Sequence, residues 1–460
     1  MLRIRPVLLA LLVAAYVRRS GANTPANCTY EEIVGVWRFS ESSQTADRME
    51  VCDNGTIFVN NVTVELQYPN IAVDEFGHKG TWTMVYNQGF EVTVADRKYY
   101  AFSDYKIVSY VVTSLCDRTK PGWSHDIEGK KWACYQGTRV KGPFVGANRT
   151  HTIADSLALD HDVFRQDPAI INEINAVQNS WTAKHYPQFE GIPLTDMHRL
   201  HGGPASTIYS YPTPADVTQE VRRVADTLPE QFDWRNVSGV NYVTSVKYQG
   251  YCGSCYAYGS IGMIEARIKV LTNNTLTLDL SEQDVVQCSH YSQACEGGFP
   301  YLIAGKYGQD YGFTTDDPYL ECTPDTKRYY TARYGYVGGY YGGCNEPLMR
   351  AALVRDGPLT VSVKMALSDD FVSYGSGIYG PTGVRHRRPN GEYNPWIEVN
   401  HSVLIVGYGS DAQTNKTYWI VKNSWGDWWG DKGYFKVDRG VNAMGIESIA
   451  VEAIPVPIPK

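Results

Sequence analysis

The sequence predicts an α+β protein in which a β-barrel precedes a two-lobed domain with one helical and one β-rich lobe. Between residues 23 and about 140, runs such as VGVWRF and GTIFVNNVTVEL alternate apolar and polar residues between Gly and Asn turns, which is typical of antiparallel strands. Further along, CGSCYAYGSIGMIEARIKVLT has apolar residues at helical spacing, and HSVLIVGYG and YWIVKNSW are strand-like. At 460 residues, two or three domains are expected.

The N-terminus has the pattern of a secretory signal peptide. Basic residues precede an apolar stretch from Val7 to Val17, and small residues follow up to Ala22. Roughly eleven apolar residues are too few to cross a bilayer, and no later run approaches the roughly 18 that a spanning helix needs. We therefore expect cleavage after Ala22, a new N-terminus at Asn23, and no membrane-bound mature form.

Charge and sequons agree with the secretory pathway. Forty-two Lys and Arg against 49 Asp and Glu give a net charge of −7, which argues against a nucleic-acid partner. That pathway permits disulfides. The chain has eight Asn-x-Ser/Thr sequons. Three are the main glycosylation candidates, Asn27, Asn54 and Asn273, and the others are Asn61, Asn148, Asn236, Asn400 and Asn415.

The region from about 141 to 227 differs from its neighbours. Ile171, Ile174, Val177 and Trp181 have helical spacing, and the loop-like stretch LHGGPASTIYSYPTPA follows them. The residues alone leave two interpretations open, a linker with one amphipathic helix and a removable pro-segment.

The stretch QGYCGSCYAY contains a C-x-x-C pair, Cys252 and Cys255. Its spacing fits a redox dithiol, half of a zinc site, or a nucleophile beside a structural cysteine. A thiol becomes a strong nucleophile only as a thiolate, so something must lower its pKa. Cys255 lies at the predicted start of a helix, whose N-terminus carries partial positive charge, and a distant histidine would have to supply a full one.

Among the ten histidines, His401 stands at the head of the apolar strand NHSVLIVGYG. Asn423 in KNSWGDWWG could hold the second ring nitrogen, and Trp425 could shield that hydrogen bond from water. Gln249 could join the Cys255 backbone N–H in stabilising an oxyanion. Each of these features is weak alone, and the combination favours nucleophilic catalysis.

These three blocks, in the order Cys, His, Asn, resemble the motifs of the papain-like cysteine proteases. The resemblance implies that Cys255 is the nucleophile, His401 its acid/base partner, Asn423 the residue that orients the imidazole, and Gln249 the oxyanion donor. It also implies that Cys252 is structural and pairs with Cys295.

Within that family, CEGGFPYLIAGKYGQDYG, YVGGYYGGCNE and GIESIAV resemble the dipeptidyl peptidases, as does the N-terminal stretch TPANCTY. The resemblance covers nearly the whole chain after the signal peptide. It implies a papain-like two-lobed catalytic domain preceded by a β-barrel exclusion domain. The implied divisions are a signal peptide (1–22), the exclusion domain (23–140), an excised pro-segment (141–227) and the catalytic domain (228–460), which is cut into heavy and light chains near residue 390.

The same resemblance implies a set of binding residues. Cys255 would attack the carbonyl two residues from a free N-terminus and form a thioester that water hydrolyses. The substrate-binding positions are Asn23, Gly298, Asn400, Trp425 and Ile446. A chloride ion, with no metal, would be bound by Phe299, Tyr301 and Tyr336. The implied disulfides are Cys28–Cys116, Cys52–Cys134, Cys252–Cys295 and Cys288–Cys322, which leaves Cys344 as a second thiol.

The resemblance further implies peptide and protein substrates with free N-termini, activating proteases, a homotetramer, and a location in lysosomes or similar granules, with secretion as the alternative. Three other functions stay open at this point. A papain-like endopeptidase would have an open cleft and cut N-acetylated peptides. An inactive papain-like binding protein would be expected to lack Cys255 or His401, and both are present. A thiol oxidoreductase would need Cys252 free.

One position departs from the family pattern. The implied partner of the substrate α-ammonium is the carboxylate of an N-terminal Asp, and Asn23 stands at the matching position. An amide oxygen accepts a hydrogen bond but carries no charge, and hydrogen bonds to charged partners are roughly twice as strong as neutral ones.

We therefore predict that Asn23→Asp raises kcat/KM on free-amine dipeptidyl substrates and changes little on N-blocked ones. The expected gain is about fivefold or more, which corresponds to about 1 kcal/mol. Steady-state kinetics on both substrates check this prediction. Equal activity of the two proteins would mean that another group holds the amine.

Overall fold

The computed structural model describes residues 25–48, 52–53, 55–109, 111–142, 150–152, 163–201, 213–315, 322, 326–364, 369–380, 382 and 400–457. The predicted signal peptide, Asn23, Asn54 and the predicted cut near residue 390 lie outside this range. Within it the predicted α+β architecture is confirmed, with a closed barrel followed by a domain of mixed helices and strands.

The N-terminal domain is a barrel closed by eight strands. Neighbouring strands pair in the order β1-β2-β3-β4-β5-β6-β8-β9, and β9 pairs back to β1, so no edge of this ring is left open. The remaining strand β7 extends the β6 hairpin beyond the ring, and β10 pairs with β7. The strands are β1 (Gly35–Glu41), β2 (Asn60–Gln67), β3 (Ile71–Asp74), β4 (Lys79–Val85), β5 (Gly89–Val94), β6 (Arg97–Val108), β7 (Val111–Thr119), β8 (Gly122–Asp126), β9 (Trp132–Lys141) and β10 (Thr150–Thr152), and the short helix α1 (Tyr30–Ile33) precedes them.

Aromatic side chains fill the barrel because alternate residues of each strand face inward. Trp37 packs on Phe90 with ring centroids 4.9 Å apart, and Phe39 packs on Tyr135 at 5.4 Å. All four side chains are fully buried. The tyrosine-rich composition is therefore used partly as barrel core.

The next segment lies against the C-terminal domain. It contains α2 (Pro168–Val177), β11 (Trp181–Ala183), α3 (Leu194–Leu200) and α4 (Gln219–Asp226). The prediction that the helical pattern continues to Trp181 is wrong, because the helix ends at Val177. The Gln178 side chain accepts hydrogen bonds from the Ser180 and Trp181 backbone, which turns the chain, and Trp181 then begins the strand that pairs with residues 374–377.

The C-terminal domain combines helices on one side with a nine-stranded sheet that includes β11. The strand order is β11-β15-β18-β17-β16-β14-β19-β13, with β12 paired to β16. The strands are β12 (Phe232–Asp233), β13 (Thr331–Tyr336), β14 (Leu359–Val363), β15 (Tyr374–Tyr379), β16 (His401–Asp411), β17 (Lys416–Lys422), β18 (Tyr434–Asp438) and β19 (Ala450–Pro455). The helices are α5 (Cys255–Leu271), α6 (Glu282–Cys288), a π-helix (Tyr301–Tyr307), α7 (Gly308–Asp310), α8 (Glu346–Asp356) and α9 (Asp369–Val372), and short 3-10 turns lie at Pro187–Phe189, Ala294–Glu296 and Ala443–Gly445.

Helix α5 is the central element of this domain, and its residues from Cys255 to Lys269 are almost all buried. Gly259 explains how closely it approaches the sheet, since a Cβ there would lie 2.9 Å from Thr360 of β14. A Cβ on Gly262 would make an ordinary contact with Leu404 of β16 at 3.4 Å. The first residue of the helix is therefore held against the strand that begins at His401.

Two buried carboxylates join the barrel to the C-terminal domain. Glu91 of β5 accepts hydrogen bonds from the Tyr301 and Tyr334 hydroxyls, at 3.0 and 2.8 Å. Asp310 contacts Lys306 at 3.1 Å and His125 of β8 at 3.3 Å, with all three side chains almost fully buried. Buried charges need such partners, because an unpaired one is costly.

Four disulfides connect the cysteine pairs that the resemblance implies, and Cys255 and Cys344 are free. The pairs are Cys28–Cys116, Cys52–Cys134, Cys252–Cys295 and Cys288–Cys322. Two of these bonds lie within the barrel and two within the C-terminal domain. Among the described helices, none is long and apolar enough to cross a membrane.

The barrel depends on close backbone contact between β4 and β5. A Cβ on Gly80 would lie 1.9 Å from the Thr93 carbonyl oxygen. We predict that Gly80→Ala lowers the free energy of unfolding of the barrel by about 2 kcal/mol or more, since a rigid ladder must move to admit the methyl group. Denaturant unfolding checks this prediction, and a loss below about 0.5 kcal/mol would contradict it.

Candidate active site

Cys255 is the first residue of α5, and its partner in the C-x-x-C pair is bridged to Cys295. The Gly253 N–H donates to the Cys295 carbonyl at 2.9 Å, and a Cβ on Gly253 would lie 2.5 Å from that oxygen. The glycine therefore allows the disulfide loop to pass under the helix start. With Cys252 in a disulfide, the pair is not a free dithiol in this structure.

His401 begins β16 and is completely buried. Its Nε2 lies 2.8 Å from Asn423 Oδ1, which also accepts from the Ser424 N–H at 2.9 Å. Because Oδ1 only accepts, this contact places the ring proton on Nε2. The Trp425 ring lies 5.4 Å from the imidazole between centroids and covers it.

The second ring nitrogen, Nδ1, is buried and makes no hydrogen bond with the described residues. The next residue, Ser402, contacts the Cys255 thiol through its backbone and its side chain. The arrangement thus presents an imidazole nitrogen free to accept a proton on the strand that touches the thiol.

Gln249 is buried between the two lobes. Its Oε1 lies 2.5 Å from Ser424 Oγ, and its Nε2 donates to the Cys252 carbonyl at 2.9 Å. The same Nε2 donates to the Leu200 carbonyl at 3.3 Å, and Trp425 Nε1 donates to that carbonyl at the same distance. A peptide carbonyl therefore already lies where the predicted oxyanion donor points.

That carbonyl belongs to the segment between the two domains. Helix α3 ends at Leu200, and the His201 ring packs against Trp425 in a tilted arrangement with centroids 5.3 Å apart. Farther back, Tyr186 donates to the Tyr374 carbonyl at 2.6 Å and accepts from the Gly430 N–H at 2.7 Å. This segment covers the site in the structure described here.

Burial sets the charge state of the covered site. It raises the pKa of the Cys255 thiol to about 11, although hydrogen bonds from Ser402 act in the opposite direction. It lowers the pKa of His401 to about 4, against the hydrogen bond to Asn423. Between these values both groups are neutral, so the covered site holds a thiol and an imidazole rather than an ion pair.

A barrel residue also reaches the site, and no motif or spacing pointed to it. Tyr86 lies in the turn between β4 and β5 with φ of 50°. Its hydroxyl lies 2.5 Å from Ser362 Oγ, and its ring packs on Phe299 at 4.3 Å. Ser362 is the cross-strand partner of Ser402, so Tyr86 is anchored beside the catalytic strand.

The predicted substrate positions are placed in different ways. Asn400 directly precedes His401, and its N–H donates to the Val363 carbonyl at 3.0 Å. Ile446 is fully buried after the turn Ala443–Gly445. A Cβ on Gly298 would lie 2.8 Å from the Tyr256 ring, so packing alone requires a glycine here, and its contact with substrate stays a prediction.

The three residues expected to bind chloride lie together. Tyr301 and Tyr336 stack with centroids 4.4 Å apart, and both are buried, as is Phe299. The Tyr301 hydroxyl donates to Glu91, whereas the Tyr336 hydroxyl is buried without a partner among the described residues. An unsatisfied buried donor is unusual, and it fits an anion acceptor at this point.

Two of the glycosylation candidates are described. Asn273 is exposed and its Oδ1 accepts from the Tyr242 hydroxyl at 3.1 Å. Asn27 is only 6% exposed, and its Oδ1 accepts from Asn87 at 2.8 Å. Glycosylation of either residue stays a prediction.

Comparison with known proteins agrees with this geometry. Residues 228–454 match the papain family cysteine protease, and residues 23–139 match the cathepsin C exclusion domain. Cathepsin C of Schistosoma mansoni is 37% identical over 97% of this chain and 98% of its own length. A cathepsin L-like proteinase of Fasciola hepatica is 34% identical over 59% of this chain and 76% of its own. The structure of digestive procathepsin L2 from Tenebrio molitor aligns with a TM-score of 0.50 at 27% identity, covering 66% of this chain and 95% of that one.

The fold, the free cysteine at a helix start and the buried His–Asn pair therefore define a cysteine protease of the papain family. The chain carries the exclusion domain as well and matches a cathepsin C over nearly its whole length, so it belongs to the cathepsin C family.

The covered site should be unreactive. We predict that iodoacetamide alkylates Cys255 at pH 7 about a hundredfold more slowly in the uncut protein than after removal of residues 141–227, since a thiol with a raised pKa holds that much less thiolate. Mass spectrometry of alkylated peptides measures both rates, with Cys255→Ser as the background. Equal rates would mean that the segment does not control the thiol.

Proposed function

We propose that this protein is a dipeptidyl peptidase that removes two residues at a time from the free N-termini of peptides and proteins. The observation that carries the proposal is the position of Tyr86. A barrel turn contacts Phe299 and Ser362, and Ser402, the cross-strand partner of Ser362, contacts the Cys255 thiol, so this turn would block the cleft on that side. A substrate chain would have to end there instead of passing through.

The start of the barrel domain lies at the same place. The Cys28 N–H donates to the Asn87 carbonyl at 2.8 Å, and the Cys28–Cys116 disulfide holds this segment to β7. Asn87 directly follows Tyr86. Two extended residues span roughly 7 Å. A substrate whose N-terminus lies near Tyr86 would therefore place a dipeptide between that N-terminus and Cys255. Asn23, two residues before the described chain begins, is the proposed partner of the substrate amine.

The catalytic roles follow from the site geometry. Cys255 is the nucleophile, and His401 takes the thiol proton at Nδ1 and returns it to the leaving amine. Asn423 holds the imidazole through Nε2, and Trp425 excludes water from that bond. Gln249 Nε2 donates to the developing oxyanion, in the way it donates to the Leu200 carbonyl in the covered state.

Activation requires the covering segment to leave, because Leu200 and His201 occupy the cleft. We assign residues 141–227 to an excised pro-segment and leave its removal, and the cut near residue 390, to other proteases. No described disulfide joins the barrel to the catalytic domain. The two parts would then stay together through contacts such as those of Glu91 and Asp310.

A chloride ion at Tyr336 is part of the proposal. The unpartnered Tyr336 hydroxyl would donate to it, together with the backbone N–H groups of Phe299 and Tyr301. A bound anion there would fix the wall of the pocket for the second substrate residue. A location in the secretory pathway or lysosome and a homotetrameric assembly complete the proposal, supported by similarity to the cathepsin C family.

Two substrates that differ only at the amine test the proposal. The activated enzyme should hydrolyse a free-amine dipeptidyl amide and leave its N-acetylated twin uncut, because the acetyl group collides with the barrel turn and removes the charge. Comparable cleavage of both would favour an endopeptidase with an open cleft.

Substitutions separate the catalytic roles. Cys255→Ala and His401→Ala should abolish turnover, while Asn423→Ala should lose less because it exchanges no proton with the substrate. Kinetics and thermal unfolding of each variant check this prediction. Appreciable turnover by Cys255→Ala would contradict the mechanism, and unfolding of His401→Ala would indicate a packing role instead.

A further inference from the structure

A small polar cavity lies behind the catalytic pair, between α5 and β16. Its volume of about 20 Å³ is enough for one water molecule. It exists because glycines face the sheet where α5 crosses it. Its lining includes Gly259, Gly262, Glu265, Lys422 and Asn423.

Two donor groups in this lining have fewer acceptors among the described residues than they have N–H groups. Lys422, the last residue of β17, has three N–H groups, and its one acceptor among the described residues is Thr244 Oγ1 at 3.3 Å. The lysine is 8% exposed. Asn423 Nδ2 is buried and has no partner among the described residues. Buried donors without acceptors are costly, so both call for a shared acceptor.

The charges around Lys422 keep it an ammonium group at acid pH. Glu265 of α5 attracts it, as do Glu282 and Asp279, whereas Lys247 repels it. Burial lowers its pKa to about 8. Glu265 is itself engaged by the Thr244 hydroxyl at 2.6 Å and the Leu280 N–H at 2.8 Å.

We propose that Lys422 is a positioning residue for catalysis, acting through a water molecule held in this cavity. The water accepts hydrogen bonds from Lys422 Nζ and Asn423 Nδ2. It thereby fixes the Asn423 amide with Oδ1 toward His401 Nε2, which favours the protonated imidazole in the active ion pair. The inference rests on the proposed roles of Cys255 and His401.

Filling the cavity tests this proposal without weakening the fold. In Gly262→Ala the new methyl group would lie 3.4 Å from Leu404 and 3.9 Å from Lys422 Nζ, which are ordinary contacts. Alanine also favours a helix interior over glycine. We expect kcat on a free-amine dipeptidyl substrate to fall by about three- to tenfold, the factor that one hydrogen bond is worth, with KM unchanged and an equal or higher Tm. Ser260→Ala is the matched control, because it lies on the same helix, buried, away from the cavity lining.

Lys422→Met should reduce kcat in the same way, and Lys422→Gln, which keeps a donor, should recover part of the loss. Lys416→Met, on the same strand but paired with Asp438, should have no effect. If Lys422→Met does not fold, the kcat of Gly262→Ala alone tests the proposal.

The second measurement is the pH dependence of Cys255 alkylation by iodoacetamide in the activated enzyme, which does not depend on dipeptidyl specificity. On the acid side of this pH profile, the fall in rate should move to higher pH in Gly262→Ala and Lys422→Met. A less firmly held imidazolium stabilises the thiolate less, so the pKa of Cys255 rises. The proposal would be overturned if both variants kept alkylation rates within twofold of the parent, together with an acid limb whose ionisation constant is within twofold of the parent's. Cleavage of N-acetylated substrates would instead overturn the proposed function and leave this result standing.

Discussion

The contact between Tyr86 and Ser362 is the interaction on which the arrangement of this protein depends. It ties a barrel turn to β14, and β14 pairs with the strand that carries His401 and Ser402. Two features that could have been unrelated, a closed barrel and a papain-type cleft, therefore share one boundary. In the proposed function, the barrel would limit how far a substrate can extend, and the cleft would supply the chemistry.

The charge state of the site depends on what covers it. A buried thiol and a buried imidazole are both held neutral, since charges are poorly solvated there. The segment that ends α3 supplies a carbonyl at Leu200 to the donors Gln249 and Trp425, so these are satisfied before any substrate binds. In the proposed function, the segment and the substrate would therefore both use the Gln249 donor, and removal of the segment would open the cleft and return water to the thiol.

Much of this could be predicted from the sequence. The motifs pointed to Cys255, His401 and Asn423, and the structure places Cys255 at a helix start and His401 at a strand start beside Asn423. Their catalytic roles stay a proposal. The two-residue periodicity of 23–140 predicted the barrel. Tyr86 could not be predicted, because its importance arises from packing between two domains. Its partner Ser362 is nearly 280 residues away in sequence. The spacing of Trp181 from the preceding apolar residues fits a helix, but the turn made by the Gln178 side chain overrides that periodicity. The cavity beside Lys422 arises from glycines on one face of α5, which periodicity treats as neutral.

The central claim is that the barrel allows two residues and no more between Tyr86 and Cys255. Mass spectrometry over time of a free-amine peptide of about ten residues, incubated with the activated enzyme, tests it most directly. We expect successive loss of residue pairs from the N-terminus, with each intermediate shorter by one dipeptide. Internal fragments formed from the start, or losses of one or three residues, would contradict it.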